Sequence, residues 1–119
     1  MSTYAINTVV EVGRLTRDPE LRLLSEDNSV CKLRLAIDGM GRGGETGYID
    51  VDVFGKSGEA CAEYLSRGRQ VVVRGRLQWH EWQPDDGSTR QAHHIVADQV
   101  QFLGATGESA PAETEQPAA

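Results

Sequence analysis

Strict alternation of apolar and polar residues is the feature that most limits how this chain can fold. Residues 29–38 read SVCKLRLAID, and the charged side chains of Lys32 and Arg34 fall between apolar neighbours. The apolar positions are Cys31, Leu33, Leu35 and Ile37. Because successive side chains of a strand point to opposite faces, this period of two predicts a strand with one buried face.

The same period recurs in two further segments. Residues 48–54 place Ile49, Val51 and Val53 inward, and Tyr48, Asp50, Asp52 and Phe54 outward. Residues 70–78 place Val71, Val73 and Leu77 inward, and Arg74, Arg76 and Gln78 outward. Residues 9–15 and 92–103 supply less regular first and last strands. Gly13 of the first strand and Gly75 of the fourth are predicted positions of a bend or bulge. Five strands are therefore expected.

One segment has helical spacing instead. Residues 57–67 (SGEACAEYLSR) carry an apolar stripe of Ala60, Cys61, Tyr64 and Leu65. Ser57 is the predicted N-cap, Arg67 falls in the last turn, and Gly68 follows the helix end. The order of three strands, one helix and two strands is typical of an OB-fold. We therefore expect an all-β, five-stranded OB-fold barrel with one α-helix between the third and fourth strands and a long hairpin of the fourth and fifth strands.

Composition sets the domain organisation and excludes several classes of protein. The 119 residues suffice for one domain, placed at residues 1–103; residues 104–119 contain mainly small residues, Pro and Glu, and are expected to form a disordered tail. No apolar run approaches the roughly 20 residues of a membrane span, and no basic, then apolar leader begins the sequence, so a cytoplasmic protein without membrane contact is expected. Cys31 and Cys61 are expected to be small buried hydrophobes.

Net charge does not exclude a nucleic acid partner. The whole chain carries −6, from 12 basic and 18 acidic residues. Three of those acids, Glu108, Glu113 and Glu115, lie in the tail, which leaves 12 bases against 15 acids in residues 1–103. The position of each charge in its strand therefore matters more than the total.

The outward-facing residues combine aromatic rings with cations. Tyr48 and Phe54 stand on the non-core face of the third strand, and Trp82 shares the parity of Arg74 and Arg76 on the fourth. Flat rings between cations suit single-stranded nucleic acid, because bases stack on aromatics and cations neutralise phosphates. The candidate binding residues are Tyr48, Phe54, Trp82, Trp79, Lys32, Arg34, Arg74, Arg76 and Lys56.

Two of these aromatic positions have other interpretations. Trp79 has the opposite parity to Trp82, so it either caps the barrel core beyond Leu77, contacts DNA or meets a neighbouring subunit. Tyr48 and Phe54 are also compatible with an oligomer interface, since exposed apolar patches often bind protein.

No catalytic or metal-binding pattern accompanies this face. Asp50 and Asp52 have no third ligand beside them, and we expect them to pair with the arginines of the adjacent strands rather than hold a metal. The Gly55-Lys56-Ser57 stretch lacks the first glycine of a nucleotide-hydrolase phosphate loop, where Asp50 stands instead. No nucleophile has a visible base partner. A non-enzymatic protein without cofactor is expected.

Four features of the chain belong together: NTVVEVGRLTRDPELR at residues 7–22, VFGK at 53–56, AEYLSRGRQVVVRGRL at 62–77, and Trp82 before a DDGS turn. With them, residues 5–104 resemble the bacterial single-stranded DNA-binding protein family. The resemblance implies an OB-fold, a homotetramer, and protection of single-stranded DNA in replication, recombination and repair, within the nucleoid. It also implies that Tyr48, Phe54 and Trp82 stack on bases and that the hairpin of residues 79–90 lies along the DNA.

The chain departs from the family pattern in a few places. Gly41 stands near the position of a further stacking tryptophan, and Gln78 and His80 occupy hairpin positions that are often basic. The family's acidic tip ending in Phe is replaced by ETEQPAA, so weak or no recruitment of repair enzymes through the tail is expected. The residues alone leave open an OB-fold RNA-binding module and a protein-interaction module as alternatives.

Overall fold

A computed structural model describes residues 5–104 of the chain, and its secondary structure is almost entirely strands. The strands are β1 (Val9–Leu15), β2 (Glu20–Leu23), β3 (Ser29–Ile37), β4 (Gly47–Phe54), β5 (Gln70–Trp82) and β6 (Arg90–Leu103). A 3₁₀ turn at Arg42–Gly44 precedes β4, and the helix α1 (Gly55–Tyr64) follows it. Apart from Gly104, the tail expected to be disordered lies outside the described residues.

The strands form one sheet that closes on itself. Its order is β1-β5-β6-β4-β3-β2, and a further pairing of β1 with β3 completes the ring. Neighbouring strands are antiparallel except β4 and β6, which run parallel. The helix lies between β4 and β5 in the chain, and β5 and β6 form a long hairpin from Gln70↔Leu103 to Trp82↔Arg90. The expected OB-fold barrel, with its helix and long hairpin, is confirmed.

The structure adds one strand that the sequence pattern did not indicate. β2 is only four residues long, pairs antiparallel with the first part of β3, and is exposed at every position. Glu20, Leu21, Arg22 and Leu23 alternate polar and apolar residues, but four residues is the shortest length over which alternation indicates a strand. Pro19 precedes β2 and lacks the N–H that a continuous strand would donate.

The helix α1 begins and ends earlier than predicted. Phe54 is the N-cap residue and its side chain makes no capping hydrogen bond, so the prediction of Ser57 as N-cap is wrong. Gly55, with φ 71°, turns the chain sharply out of β4 and fixes the start of the helix. The helix ends at Tyr64 because Leu65 is extended and buried in the core. Arg67 is therefore outside the last turn, and Gly68 belongs to the following turn, where its N–H donates to the Leu15 carbonyl at 2.8 Å.

The barrel core is aliphatic and includes both cysteines. The fully buried side chains, in order of size, are Leu15, Leu33, Leu35, Ile95, Val51, Val53, Val71, Val73, Cys31 and Cys61. Burial raises the pKa of the Cys31 thiol to about 11. Burial, and then the proximity of Cys31, raises the pKa of the Cys61 thiol to about 12. Both groups therefore remain neutral thiols near pH 7, as expected of small hydrophobic residues.

β5 leaves the core before its end. Val71 and Val73 are fully buried, as predicted, but Leu77 is 38 % exposed and Trp79 is 51 % exposed. Leu77 pairs with the buried Ile95 and so lies on the core side of β5 as predicted, but it is only partly covered, and the interpretation that Trp79 caps the core is wrong. The reason is that Leu77 lies at the base of the hairpin, and from Trp79 onward β5 pairs only with β6 among the described strands.

A register shift at Gly75 marks the place where β5 and β6 change their pairing. Arg74 pairs with Gln99 and Gly75 pairs with Ala97, so Asp98 of β6 is the extra residue of a β-bulge. A Cβ atom on Gly75 would overlap the Val96 carbonyl oxygen and lie 2.7 Å from the Ala97 Cα. The predicted bulge is thus found at Gly75, which is glycine because the β6 backbone approaches it closely.

We predict that Gly75→Ala lowers the free energy of unfolding by about 2–3 kcal/mol, because the added methyl group forces backbone atoms apart. Gly87→Ala is the matched control: Gly87 has φ 84° and open space around an added Cβ, so only the left-handed conformation opposes it. That cost is about 1–2 kcal/mol. Urea unfolding followed by circular dichroism measures both. Equal stability of Gly75→Ala and the wild type would contradict the close approach.

Candidate nucleic-acid interface

Cross-strand pairing brings the predicted binding residues onto one outer face of the sheet. Asp50 of β4 pairs with Arg34 of β3 on one side and with His94 of β6 on the other. Gln78 of β5, which pairs with His94, extends this row of cross-strand neighbours to a fourth strand. Residues two apart on each strand extend the same face. We call it the aromatic-basic face, and it consists of Lys32, Arg34, Tyr48, Asp50, Asp52, Phe54, Arg74, Arg76, Gln78, His80, Trp82 and His94.

Three aromatic rings are exposed on this face. Tyr48 is 55 %, Phe54 48 % and Trp82 43 % exposed, although residues of this size are usually more deeply buried. The Arg34 guanidinium lies 5.6 Å from the centroid of the Tyr48 ring, within cation–π range. Each exposed ring can therefore accept a flat partner from solvent.

Trp82 already has one aromatic neighbour within the hairpin. The His80 ring stacks on it with centroids 5.0 Å apart and an interplanar angle of 23°. His80 also meets the edge of the His94 ring at 5.9 Å. A continuous run of rings, Trp82, His80 and His94, therefore extends from the hairpin onto the barrel.

Trp79 lies on the opposite side of the hairpin, as its parity predicted. It pairs with His93, and its indole N–H donates to the Gln91 side chain at 3.5 Å. It is not part of the aromatic-basic face. The structure therefore separates the two tryptophans, which differ by three positions in the sequence, onto two sides of one ribbon.

Most cations of the face are already paired with carboxylates. Lys32 Nζ lies 3.1 Å from Asp52 Oδ1, and Arg34 Nη1 lies 2.9 Å from Asp50 Oδ1. Arg74 pairs at 3.3 Å with Asp98, the extra residue of the bulge. The expected arginine partner is found for Asp50, whereas Asp52 pairs with Lys32 rather than with an arginine; both partners lie on β3.

Two of the predicted binding cations make no ion pair in the described part of the chain. Within residues 5–104, neither Arg76 nor Lys56 has a carboxylate within 4.0 Å. Arg76 lies in the middle of β5 beside Val96, and Lys56 lies in the first turn of α1, two residues after Phe54. These are the positive charges on or beside the face that are available without breaking an ion pair.

His80 and His94 are the members that sequence reasoning missed. His80 has the same parity as Trp82, so that signal was present on β5. No comparable signal existed for His94, because the bulge at Asp98 and the parallel pairing with β4 determine which way it points. The His94 Nε2 atom lies 3.4 Å from Asp52 Oδ2.

The turn of the hairpin is held by local hydrogen bonds. Gly87 donates to the Pro84 carbonyl at 3.1 Å, and both the hydroxyl and the backbone N–H of Ser88 donate to Asp86 Oδ1. The Ser88 hydroxyl, followed by its N–H, holds the pKa of Asp86 below its usual value. The Asp86 carboxylate that accepts these hydrogen bonds is therefore ionised at neutral pH.

Other kinds of site find little support in the part of the chain described. Between residues 5 and 104, no three His, Cys, Asp or Glu side chains are grouped so that they could hold a metal ion. The only helix of any length, α1, has ten residues, and no helix within the same range is long and apolar enough to span a bilayer.

A family model and individual relatives all point to the same protein family. The model of the single-strand binding protein family matches residues 6–103. A single-stranded DNA-binding protein of Wolinella succinogenes is 34 % identical over 110 residues, covering 87 % of this chain and 67 % of that protein. The one from Treponema pallidum is 38 % identical over 104 residues, covering 83 % of this chain and 58 % of that protein.

A third relative, the single-stranded DNA-binding protein of Clostridium perfringens, is 34 % identical over 110 residues, covering 87 % of this chain and 73 % of that protein. The chain thus spans between 58 % and 73 % of the length of these three relatives. The family match includes every described strand and the helix, and its residues carry the aromatic-basic face. This chain belongs to the single-strand binding protein family.

Proposed function

We propose that the chain binds single-stranded DNA along the aromatic-basic face, without catalysing a reaction and without a cofactor. The observation that carries this proposal is the exposure of Tyr48, Phe54 and Trp82 on one continuous face with cations between them. Each base stacked on an aromatic ring contributes about 1–3 kcal/mol, and every base offers a flat surface for stacking. Such a face therefore binds single strands with little dependence on sequence.

The spacing of the aromatics defines a path for the strand. Tyr48 and Phe54 lie six residues apart on β4, a separation of roughly 20 Å along the strand. Lys32 and Arg34 run beside them on β3, and Lys56 follows Phe54 in α1. The path extends past Arg76 of β5 to Trp82 on the hairpin. Bases would stack on the rings while phosphates meet the cations.

Arg74 and Trp79 are proposed to contact DNA outside this central path. Arg74 lies at the edge of the face next to β1, where it pairs with Val10. Trp79, on the other side of the hairpin, would meet a strand that passes around the ribbon or a neighbouring subunit. Both contacts require DNA to continue beyond one face of one barrel.

The biological role that follows is protection of single-stranded DNA during replication, recombination and repair. A coating protein needs affinity for any sequence, and stacking combined with phosphate neutralisation provides it. We also propose a nucleoid-associated location in the cytoplasm, because that is where such DNA is exposed in a bacterial cell. Residues 104–119 contain no aromatic or large aliphatic side chain, so we propose that they contribute weakly to recruitment of repair enzymes.

Binding of RNA by the same face is the second candidate function. Stacking platforms do not by themselves distinguish thymine from uracil, and the 2′-hydroxyl is the group that separates the two nucleic acids. Competition between oligo-dT and oligo-U of equal length decides between them. An equal or greater affinity for oligo-U would favour an RNA-binding module over the DNA function.

The DNA-binding proposal is tested by titrating the protein with oligo-dT and following tryptophan emission at two salt concentrations. We expect quenching, because Trp82 stacks on a base, and an affinity that falls steeply as salt rises. Trp82→Ala should weaken binding by about 1–3 kcal/mol and remove most of the quenching. Trp79→Ala is the companion variant and should retain the quenching due to Trp82. Unchanged wild-type emission at saturating DNA would contradict the role of Trp82.

We further propose that the chain assembles as a homotetramer. From Val9 to Gly13, β1 pairs with β5 on one edge, and its pairing with β3 begins only at Arg14. Among residues 5–104, no strand pairs with the other edge of this segment, and Val10 and Val12 are 58 % and 50 % exposed. An open edge beside apolar side chains is a site where a second copy can pair symmetrically.

Light scattering should therefore give a mass near four times 13.0 kDa at micromolar concentration. Val12→Glu should lower that mass, because a charge at the open edge opposes pairing, while the barrel still folds since Val12 is outside the core. Reducing agent should leave the wild-type mass unchanged, as both thiols are buried. A wild-type mass of 13.0 kDa would overturn the assembly.

A further inference from the structure

Asp52 lies between two side chains that can both carry positive charge. Its Oδ1 atom is 3.1 Å from Lys32 Nζ, and its Oδ2 atom is 3.4 Å from His94 Nε2. The side chain of Asp52 is 14 % exposed and that of His94 is 18 % exposed, so water screens their interaction less than it screens a surface pair. One carboxylate thus serves two partners.

Charged groups from three strands surround His94. β4 contributes the carboxylates of Asp50, its pairing partner, and of Asp52. β5 contributes the edge contact with His80 and the nearby positive charge of Arg76. β3 contributes Lys32 and Arg34, each held by one of the two aspartates. The neighbours of His94 along β6, from Ala92 to Val96, include one other titratable residue, His93, which faces the opposite side.

Bound DNA would change which basic side chain pairs with Asp52. A phosphate that binds Lys32 competes with Asp52 for the ammonium group, and an aspartate that loses this partner is left poorly compensated beside the DNA. His94 is the only other basic side chain within 4.0 Å of Asp52 in the described part of the chain. Histidine is also the side chain whose charge ordinarily changes between pH 5 and 8.

We propose that His94 couples DNA binding to proton uptake. When His94 is protonated, it forms the ion pair with Asp52, and Lys32 is then available to bind a phosphate. This inference rests on the proposed DNA-binding function and gives that site a regulator. The one bond formed is an N–H bond of the imidazolium, and its proton is given up by hydronium or a buffer acid in the solvent as the complex forms. Asp52 then acts as an internal competitor of DNA whose strength depends on pH.

The direction of the pH effect follows from linkage. If the complex binds more protons than free protein and DNA together, lower pH favours the complex, and DNA in turn favours protonation. Affinity therefore rises as pH falls through the range in which His94 gains its proton. At high pH His94 is neutral, Asp52 keeps Lys32, and one phosphate contact is weakened.

The experiment measures the affinity of the full chain for oligo-dT at about pH 5.5 and about pH 8, a range in which histidine titrates. Thymine and phosphodiester groups do not change charge in this range, so the ligand contributes no protons. We expect affinity at least about fivefold higher at the lower pH. The plot of log affinity against log salt should also steepen by about 0.7, the value for one extra phosphate contact to a single strand.

Three variants test the assignment. His94→Gln should lose the affinity ratio between the two pH values, because glutamine keeps a polar contact but takes up no proton. Asp52→Asn should lose the same ratio and bind more tightly than wild type at the higher pH, since Lys32 has no carboxylate to leave. His93→Gln is the matched control: it lies one residue away on the other side of β6, beside Trp79, and should keep the ratio.

A direct readout does not depend on affinity. The imidazole resonance of His94, followed by NMR, should titrate at higher pH in the complex with oligo-dT than in the free protein, while that of His93 stays in place. A pH-independent affinity, or a ratio that survives His94→Gln, would overturn the proposal. So would loss of the ratio in His80→Gln alone, because His80 would then be the proton acceptor. Absence of any binding to oligo-dT at either pH would instead reject the DNA function itself.

Discussion

β6 is hydrogen-bonded on both of its edges, and the arrangement of the binding face depends on this double pairing. One edge runs antiparallel to β5 along the whole hairpin, and the other runs parallel to β4 from Asp50↔His94 to Val53↔Ala97. Because β4 in turn pairs with β3, four strands share one continuous outer surface. Without β6 between them, the cations of β3 and the aromatic run of β5 would belong to separate surfaces.

The bulge at Asp98 makes that double pairing possible. An extra residue in β6 shifts its register against β5, so that the same strand presents Val100 to the core below the bulge and Ile95 to the core above it. Gly75 accepts the close approach of the β6 backbone at this point. The consequence for the binding face is that His94 points outward between Asp50 and Gln78. A local backbone irregularity thus determines which titratable group joins the face.

Most cations of the face are paired with carboxylates of the protein before any ligand arrives. Lys32 and Arg34 are held by Asp52 and Asp50, so a phosphate must exchange places with a carboxylate to reach them. Such pairs orient the long side chains and lower the gain from each phosphate contact. Stacking on exposed rings then contributes a larger share of the proposed affinity, which fits a chain whose net charge is −6. The total charge and the binding surface are compatible because both signs are interleaved.

The sequence by itself determined the strand faces and the order of elements. Alternation around Leu33 and Val51 fixed what is buried, since a period of two assigns every side chain of a regular strand. The helical spacing around Cys61, between strands, indicated the OB-fold, and the parity of Trp82 placed it with Arg76. These features depend on residues that are close together in the chain, so the sequence alone is enough to predict them.

Only the tertiary structure decided which strands meet and where each element stops. The start of α1 at Gly55 depends on the turn out of β4, and the exposure of Leu77 and Trp79 depends on where the hairpin leaves the barrel. The short strand β2 has only four residues, the shortest length over which alternation indicates a strand. The contact between His94 and Asp52 joins residues 42 positions apart through a parallel pairing next to a bulge. Partner choice across strands is set by long-range packing, and no pattern within a single strand contains that information.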